Sequence, residues 1–151
     1  MQPQAYQKLL GYWNDTNSDM RFKPSDEAVV AALQGKYAIE LPLDFRAYLV
    51  HAPVDDNELD CNNTEWWSLS RIKNIPDEYE HSLKNAEVLA DAASYLFFAD
   101  YMLWCWAWAI CCRPGENFGR IVVIDGANDR FVADSFSEFV DTYIRDYGEL
   151  C

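Results

Sequence analysis

The densest group of chemically active side chains is a run of carboxylates near the middle of the chain. It places five acidic residues within eleven positions, and no Lys or Arg occurs between Arg46 and Arg71. The acidic residues are Asp55, Asp56, Glu58, Asp60 and Glu65. Such a loop can attract a basic protein surface over a distance, which raises the encounter rate and selects against acidic partners. The alternative interpretation is a solvated acidic loop without a partner.

Calcium binding by this loop can be tested against the spacing of an EF-hand. With Asp56 in the first position, Glu58 and Asp60 fall where the next two carboxylates belong. However, Cys61 then stands where the loop needs Gly, and Trp67 stands where it needs a bidentate Glu. We therefore predict that this loop does not bind calcium.

Two adjacent tryptophans follow the acidic loop. Neighbouring side chains in a strand point to opposite faces of the sheet, and Trp67 alternates with Leu69. We therefore predict that Trp67 packs in the core, whereas Trp66 is free to anchor a partner, as aromatic residues often do at interfaces. The candidate partner-binding residues are Asp55, Asp56, Glu58, Asp60, Glu65 and Trp66.

Motifs for catalysis or cofactor binding do not occur in the sequence. It has no Gly-x-Ser-x-Gly elbow, Gly-x-Gly-x-x-Gly loop or Walker motif, and neither His51 nor His81 belongs to a catalytic motif. Cys105, Cys111 and Cys112 lack Cys-x-x-Cys spacing, which favours buried thiols over a zinc site. We predict no catalytic residue, no cofactor and no metal, and hence no enzyme. Paired carboxylates acting as acid and base remain the enzymatic alternative.

Composition and charge restrict the class of protein. The 151 residues are 50% apolar and 15% aromatic, which predicts one globular domain spanning residues 1–151. Within it, we expect residues 1–24 to form a helix and loop extension and residues 25–147 to form the core. The net charge of −13 disfavours nucleic acid and anionic membrane surfaces as partners and favours basic proteins.

Targeting signals and cysteine usage indicate the compartment. The first residues lack the layout of a signal peptide, and the longest apolar run, residues 101–112, is shorter than the roughly 20 residues of a membrane-spanning helix. The five cysteines are an odd number in a chain large enough to fold without disulfides. We therefore predict a cytoplasmic protein.

Helical periodicity occurs at both ends of the chain. A helix is predicted just after Pro3, a second is predicted to begin at a Ser25 cap, and a third is predicted with Pro42 in its first turn. Ser135 and Glu138 have the spacing of a capping box, and the apolar residues after Ser135 repeat at helical intervals. A weaker helical pattern covers residues 80–93.

Between these helices the sequence predicts a sheet. Strands are predicted over residues 67–72, 95–98, 103–112, 119–125 and 131–133. Short strands joined by tight turns indicate a mostly antiparallel sheet, and helices gathered at the two ends of the chain indicate an α+β fold. We therefore expect a central antiparallel sheet flanked by N-terminal helices and a C-terminal helix.

Three tryptophans, Trp104, Trp106 and Trp108, alternate along the predicted strand at residues 103–112. A row of aromatic side chains can stack nucleic-acid bases, but such platforms accompany basic grooves. Arg113 is the only positive charge from residue 85 to residue 117. Core packing is therefore the favoured interpretation of the three tryptophans.

Three short motifs occur in an order known from one superfamily. Residues 41–49 begin Leu-Pro-Leu-Asp-Phe, residues 67–72 read Trp-Ser-Leu-Ser-Arg-Ile, and residues 132–139 read Val-Ala-Asp-Ser-Phe-Ser-Glu-Phe, with Tyr143 after them. They resemble the Leu-Pro-x-[Asp or Glu]-[Tyr or Phe] helix, the Trp-x-Leu strand entry and the closing strand-to-helix passage of the SUKH superfamily. With the sheet between them, the resemblance covers residues 25–147.

The resemblance implies both a fold and a class of function. Members of the SUKH superfamily have an α+β domain without a cofactor, and the best known are bacterial immunity proteins and a fungal cell-wall regulator. The resemblance therefore predicts a non-enzymatic protein that binds and neutralises a cognate polymorphic toxin, for example a basic nuclease. The alternative from the same superfamily is a regulatory scaffold that binds cellular proteins and has no toxin partner.

Overall fold

The computed structural model of the chain describes residues 2–16, 18–23, 25–55 and 58–151. Five strands form one antiparallel sheet in which each strand pairs with its neighbours in sequence. The strands are β1 (Thr64–Trp66), β2 (Tyr95–Tyr101), β3 (Trp106–Cys111), β4 (Ile121–Ile124) and β5 (Arg130–Ala133). In the described ranges the α-helices are α1 (Ala5–Asp15), α2 (Glu27–Tyr37), α3 (Leu43–His51), α4 (Ile75–Glu78), α5 (Ala86–Ala90) and α6 (Phe136–Asp146). The predicted α+β fold, with an antiparallel sheet between N-terminal helices and a C-terminal helix, is confirmed.

Local sequence signals account for the ends of the long helices. The side chain of Asp26 accepts the backbone N–H of Val29 and caps α2, so the N-cap lies one residue after the predicted Ser25. The Ser25 hydroxyl instead donates to the backbone carbonyl of Leu49 in α3. At the other end of the chain, Ser135 caps α6 as predicted, by accepting the backbone N–H of Glu138 at 3.0 Å.

One face of the sheet packs against α1, α3 and α6 through aromatic rings. Phe98 on β2 lies at the centre, with ring centroids 5.6 Å from Phe45, 5.7 Å from Phe136 and 5.2 Å from Phe139. All four side chains are fully buried. Burying an aromatic side chain of this size contributes about 1.5–3 kcal/mol, so this cluster stabilises the packing of α3 and α6 on β2.

The other face of the sheet carries a smaller aromatic cluster. Phe97 points to that face, and its ring centroid lies 5.8 Å from that of Trp67 and 5.2 Å from that of Trp104. Alternation along β2 thus separates Phe97 from Phe98 and covers the sheet on both faces. The predicted burial of β3 on both faces is confirmed for Ala107 to Cys111.

Three predicted elements differ from the structure. The segment 67–72 is not a strand, because after Trp67 donates to the carbonyl of Phe98 the chain turns, and the N–H groups of Arg71 and Ile72 both donate to the carbonyl of Ser68. The helical pattern at residues 80–93 yields only the short α5 and the start of a 3₁₀ helix at Ala92–Ser94. The predicted strand at 103–112 begins only at Trp106, because Trp104 and the two residues before it form the β2–β3 turn.

The predicted burial of aromatic and thiol side chains is only partly correct. Trp108 is fully buried, whereas Trp104 and Trp106 are half-buried at the end of the sheet. Cys111 and Cys112 are buried, as expected. The prediction of a buried Cys105 is wrong, because this residue follows the β2–β3 turn and is exposed.

Candidate protein-binding surface

Asp60, one of the predicted surface acids, is buried and serves as an internal hydrogen-bond acceptor. One carboxylate oxygen accepts the backbone N–H groups of Asn62 and Thr64, at 2.9 and 3.1 Å. The other accepts the indole N–H of Trp66 at 2.9 Å and the hydroxyl of Tyr143 on α6. The acidic loop is therefore joined to the core at Asp60, and this carboxylate does not face a partner.

Trp66 is fully buried, so the prediction of an exposed aromatic anchor at this position is wrong. Its ring lies among those of Trp13, Phe98 and Tyr143, at centroid distances of 5.4, 6.1 and 5.2 Å. Trp67 is buried as well, on the opposite face of the sheet. The two residues do point to opposite faces, as predicted, but helices cover one face and the segment after β1 covers the other.

Two further acids of the loop are paired within the chain. Glu58 is buried and accepts from the side chain of Arg21 at 2.9 Å. Glu65 is half-buried and pairs with Arg71 at 2.9 Å. Such pairs reduce the field that the loop presents to a partner, so the four described carboxylates of the loop do not form one continuous acidic patch.

Among the described acids of this loop, Asp55 is the exposed one. It lines a groove of about 510 Å³ between α2 and residues 68–72, together with Val29 and Leu69 and the lysines Lys23 and Lys36. The neighbouring Asp56 lies outside the described residues. The structure thus leaves Asp55 exposed, while Glu58 and Asp60 are buried.

Sequence reasoning missed a cavity beside the β2–β3 turn, which we call the turn cavity. Its walls include Tyr79, Trp104 and Asp125, and its volume is about 750 Å³. The rings of Tyr79 and Trp104 stack with centroids 5.5 Å apart and planes 11° apart. No signal in the sequence marks this site, because the β2–β3 turn contains no Gly, Pro or Asn and reads as part of a strand.

A buried carboxylate positions Trp104 in the turn cavity. Asp100 on β2 accepts the backbone N–H of Trp104 at 2.8 Å and the indole N–H of Trp67 at 2.6 Å. Three successive residues of the turn, Met102, Leu103 and Trp104, have positive φ values of 42°, 54° and 66°. Because such φ values are unfavourable for L-residues, the hydrogen bond from Asp100 helps to hold the turn in this conformation.

Burial perturbs the ionisation of tyrosines near both regions. At the acidic loop, burial and then the hydrogen bond with Cys61 raise the pKa of Tyr12 to about 12. At the turn cavity, burial raises the pKa of Tyr79, and the nearby charges of Asp129 and Asp125 raise it further. The carboxylates of Asp125 and Asp129 thus add negative charge near the Tyr79 hydroxyl.

No group of three metal-binding side chains occurs among the residues with described positions. None of the helices in these ranges combines the length and hydropathy of a membrane span.

Most described carboxylates outside the loop are exposed, including Glu80, Glu116 and Asp125. The negative charge of the chain is therefore spread over the molecular surface.

Comparison with known protein families agrees with this architecture. A sequence model of the SMI1/KNR4 family (SUKH-1) matches residues 24–142, which is most of the chain. The chain belongs to the SMI1/KNR4 family. A search of curated proteins finds no match. The resemblance to the SUKH superfamily that the sequence motifs indicated is thereby confirmed.

The structure shows what two of the SMI1/KNR4-like motifs do in this chain. Asp44, in the first turn of α3, accepts the backbone N–H and the hydroxyl of Ser137 on α6, both at 2.8 Å. Phe45, the next residue, packs on Phe136 with ring centroids 5.3 Å apart. The Leu-Pro-x-Asp-Phe helix and the closing helix therefore contact each other through these side chains. Asp44 and Phe45 thus have a structural role in the SMI1/KNR4 fold of this chain.

Proposed function

We propose that this SMI1/KNR4 protein is a non-enzymatic immunity protein that binds a cognate polymorphic toxin and blocks its active site or substrate groove. Inhibition of this kind requires a complementary surface, typically about 800 Å² on each partner, and no reaction by the inhibitor. The toxin would be a basic protein, for example a nuclease.

The observation that supports this proposal is the excess of exposed carboxylates on the chain. Most of its aromatic residues are buried in the core, so charge is the main feature of its surface. The chain has 25 acidic and 12 basic residues, and eight salt bridges in the described part of the structure already engage Arg and Lys side chains. The surplus carboxylates supply the long-range attraction that steers a basic partner into place.

Co-expression with the product of the adjacent gene tests the proposal. We expect that this product is toxic alone, that the present chain restores growth, and that the two purified proteins form a stoichiometric complex. If no neighbouring product is toxic or bound, the immunity function is wrong. The superfamily's other role, a regulatory scaffold for cellular proteins, is then the function to test.

The contribution of the acidic loop can be measured separately. We propose that Asp55 and Asp56 help to steer the partner, and that Glu58, Asp60, Glu65 and Trp66 act indirectly by fixing the loop. Asp55→Asn with Asp56→Asn should slow association at low salt and flatten its salt dependence, with little change in dissociation. Equal association rates for wild type and variant at low salt would exclude this loop as a steering surface.

A further inference from the structure

The turn cavity is built from three separate segments of the chain. Tyr79 follows α4, Trp104 belongs to the β2–β3 turn, and Asp125 begins the β4–β5 turn. Both turns lie at the same end of the antiparallel sheet, because alternate connections of a meander share an end. The cavity is therefore a product of the fold and is not confined to one flexible loop.

The aromatic floor of the turn cavity is fixed in position. Trp104 is held from below by Phe97, which meets it edge to face at 5.2 Å, and by the hydrogen bond from its backbone to Asp100. The ring of Tyr79 stacks nearly parallel to the indole ring, with the two planes 11° apart. Both rings are half-buried, so part of each stays accessible from the cavity. A flat cationic group could contact this pair without further ordering of the protein.

The rim of the turn cavity has an excess of negative charge. Glu78, Glu80 and Asp125 line it, against one lysine, Lys84, and the imidazole of His81, whose ring centroid lies 5.3 Å from that of Tyr79. None of these three carboxylates forms a salt bridge with any described residue. A fourth carboxylate, that of the buried Asp129, lies behind the wall and accepts the backbone N–H of Lys84. The site thus combines aromatic faces with uncompensated carboxylates.

The same chain shows which group suits such a combination. The guanidinium of Arg71 lies 4.0 Å above the ring of Trp67 and pairs with Glu65 at 2.9 Å, and a second carboxylate, that of Asp100, is 3.6 Å away. The Tyr79–Trp104 pair and its carboxylates repeat this chemistry. Arginine is the natural occupant, because its planar cation stacks on aromatic rings and binds carboxylates with two N–H groups.

We propose that the turn cavity receives an arginine side chain from a basic protein partner, with the guanidinium over the Tyr79–Trp104 pair and against Asp125. Beside it, Leu103 is 96% exposed and Met102 is 49% exposed, so the same turn offers an apolar contact next to the charged one. This proposal rests on the proposed function, for which it specifies one point of contact and the chemistry of the residue that fills it.

Titration of the full chain with a blocked Gly-Arg-Gly tripeptide tests the site directly. We expect saturable shifts of the Trp104 indole and Gly126 amide resonances, and none with the tripeptide in which neutral citrulline replaces arginine. Asp125→Asn should weaken binding about two- to fivefold, the range for one exposed ion pair. This substitution keeps an oxygen that can accept the N–H groups of Ala127 and Asn128, as Asp125 does now.

Glu116→Gln provides the matched control, because Glu116 is an exposed acid in the β3–β4 connection at the opposite end of the sheet. This variant should bind the arginine peptide like the wild type. Equal shifts with arginine and citrulline, absence of saturable shifts, or equal weakening by Asp125→Asn and Glu116→Gln would each overturn the proposal.

The cavity and the immunity function can fail separately. Trp104→Leu, checked for native folding by circular dichroism, removes the aromatic floor and should weaken the complex with the partner at least tenfold. If this variant and Asp125→Asn bind the partner like the wild type, the cavity assignment is wrong and the immunity function stands. If no partner exists, the immunity function is wrong, and the tripeptide titration still decides whether the cavity binds arginine.

Discussion

Asp60 illustrates how a surface-type residue becomes part of the core. Its carboxylate satisfies two backbone N–H groups of its own loop and two side-chain donors, those of Trp66 and Tyr143. Burial and the adjacent charge of Asp60 raise the pKa of Tyr143 well above its ordinary value. A single carboxylate thus holds together the loop, β1 and α6.

Removal of this carboxylate should be costly. Asp60→Ala leaves the indole N–H of Trp66 and the hydroxyl of Tyr143 buried without an acceptor, which we expect to lower the free energy of unfolding by about 3 kcal/mol. Urea denaturation measures the change. Asp19→Ala, at an exposed acid, is the control and should lie within about 0.5 kcal/mol of the wild type. Similar losses for both variants would show that Asp60 has no special structural role.

The environments of individual side chains at the candidate site are what the sequence predicts least. The acidic loop reads as exposed, because carboxylates without apolar periodicity usually are. Whether Asp60 turns inward depends on Tyr143, a partner 83 residues away in sequence, and Trp66 is buried only because α1 and α6 cover its face. Such long-range contacts leave no local pattern, so the sequence alone favours a partner-binding surface for this loop.

The contact between α3 and α6 fixes the helical layer. Asp44 accepts the backbone N–H of Ser137 in the first turn of α6 and acts as an additional cap on that helix. Asp44→Ala should lower the free energy of unfolding by about 1–2 kcal/mol, since it removes a charged acceptor from two donors. Asp44→Asn, which keeps one acceptor oxygen, should lose less. Thermal unfolding of both variants checks this order, and equal losses would contradict the capping role.

A substitution in the β2–β3 turn is expected to raise the free energy of unfolding. Leu103 has a φ of 54° and is 96% exposed, so its side chain contributes little packing while its backbone conformation is unfavourable. Leu103→Asn should stabilise the protein by about 0.5–1 kcal/mol, because Asn tolerates this conformation better. Leu103→Val should destabilise it, because a β-branched side chain tolerates this conformation poorly. Thermal melts decide, and a lower melting temperature for Leu103→Asn would contradict the assigned geometry.

This turn also shows why some elements could be predicted and others could not. The final helix follows from a cap and a helical stripe, which are local signals, and it was predicted correctly. The β2–β3 turn uses Met, Leu and Trp where Gly or Asn is usual, and it depends on Asp100 and Phe97 for support. The sequence pattern therefore predicts a β3 that runs through the turn, and it gives no sign of the cavity beside the turn.

The order of helices and strands along the chain is enough to predict the α+β architecture. The chain has helices at its ends and short strands between them, and this arrangement leaves few ways to cover both faces of an antiparallel sheet. A consequence is that many tyrosines and cysteines are enclosed. Burial raises the pKa of Tyr48, Tyr95, Cys111 and Cys112, as it does for Tyr143.

These raised pKa values predict alkaline instability. The folded state keeps its protons to higher pH than the unfolded state, in which thiols have a pKa of about 8.5 and phenols a pKa of about 10. Above these values the unfolded state binds fewer protons, so the free energy of unfolding falls as pH rises. The stabilisation is fully present below about pH 8.5, and for Tyr12 it is lost as pH passes from about 10 to the raised pKa of about 12. Urea midpoints between pH 7 and pH 11 should show the decline.

Tyr48→Phe identifies the contribution of one phenol to this decline. The Tyr48 hydroxyl is buried and has no hydrogen-bond partner in the described part of the chain, so its removal should leave stability at pH 7 equal or higher by up to about 1 kcal/mol. Above pH 10 the variant should lose stability less steeply than the wild type, by about 1.4 kcal/mol per pH unit for one phenol that ionises only on unfolding. Parallel curves for wild type and variant would mean that Tyr48 ionises equally in both states, contrary to its position among Phe45, Trp66 and Phe136.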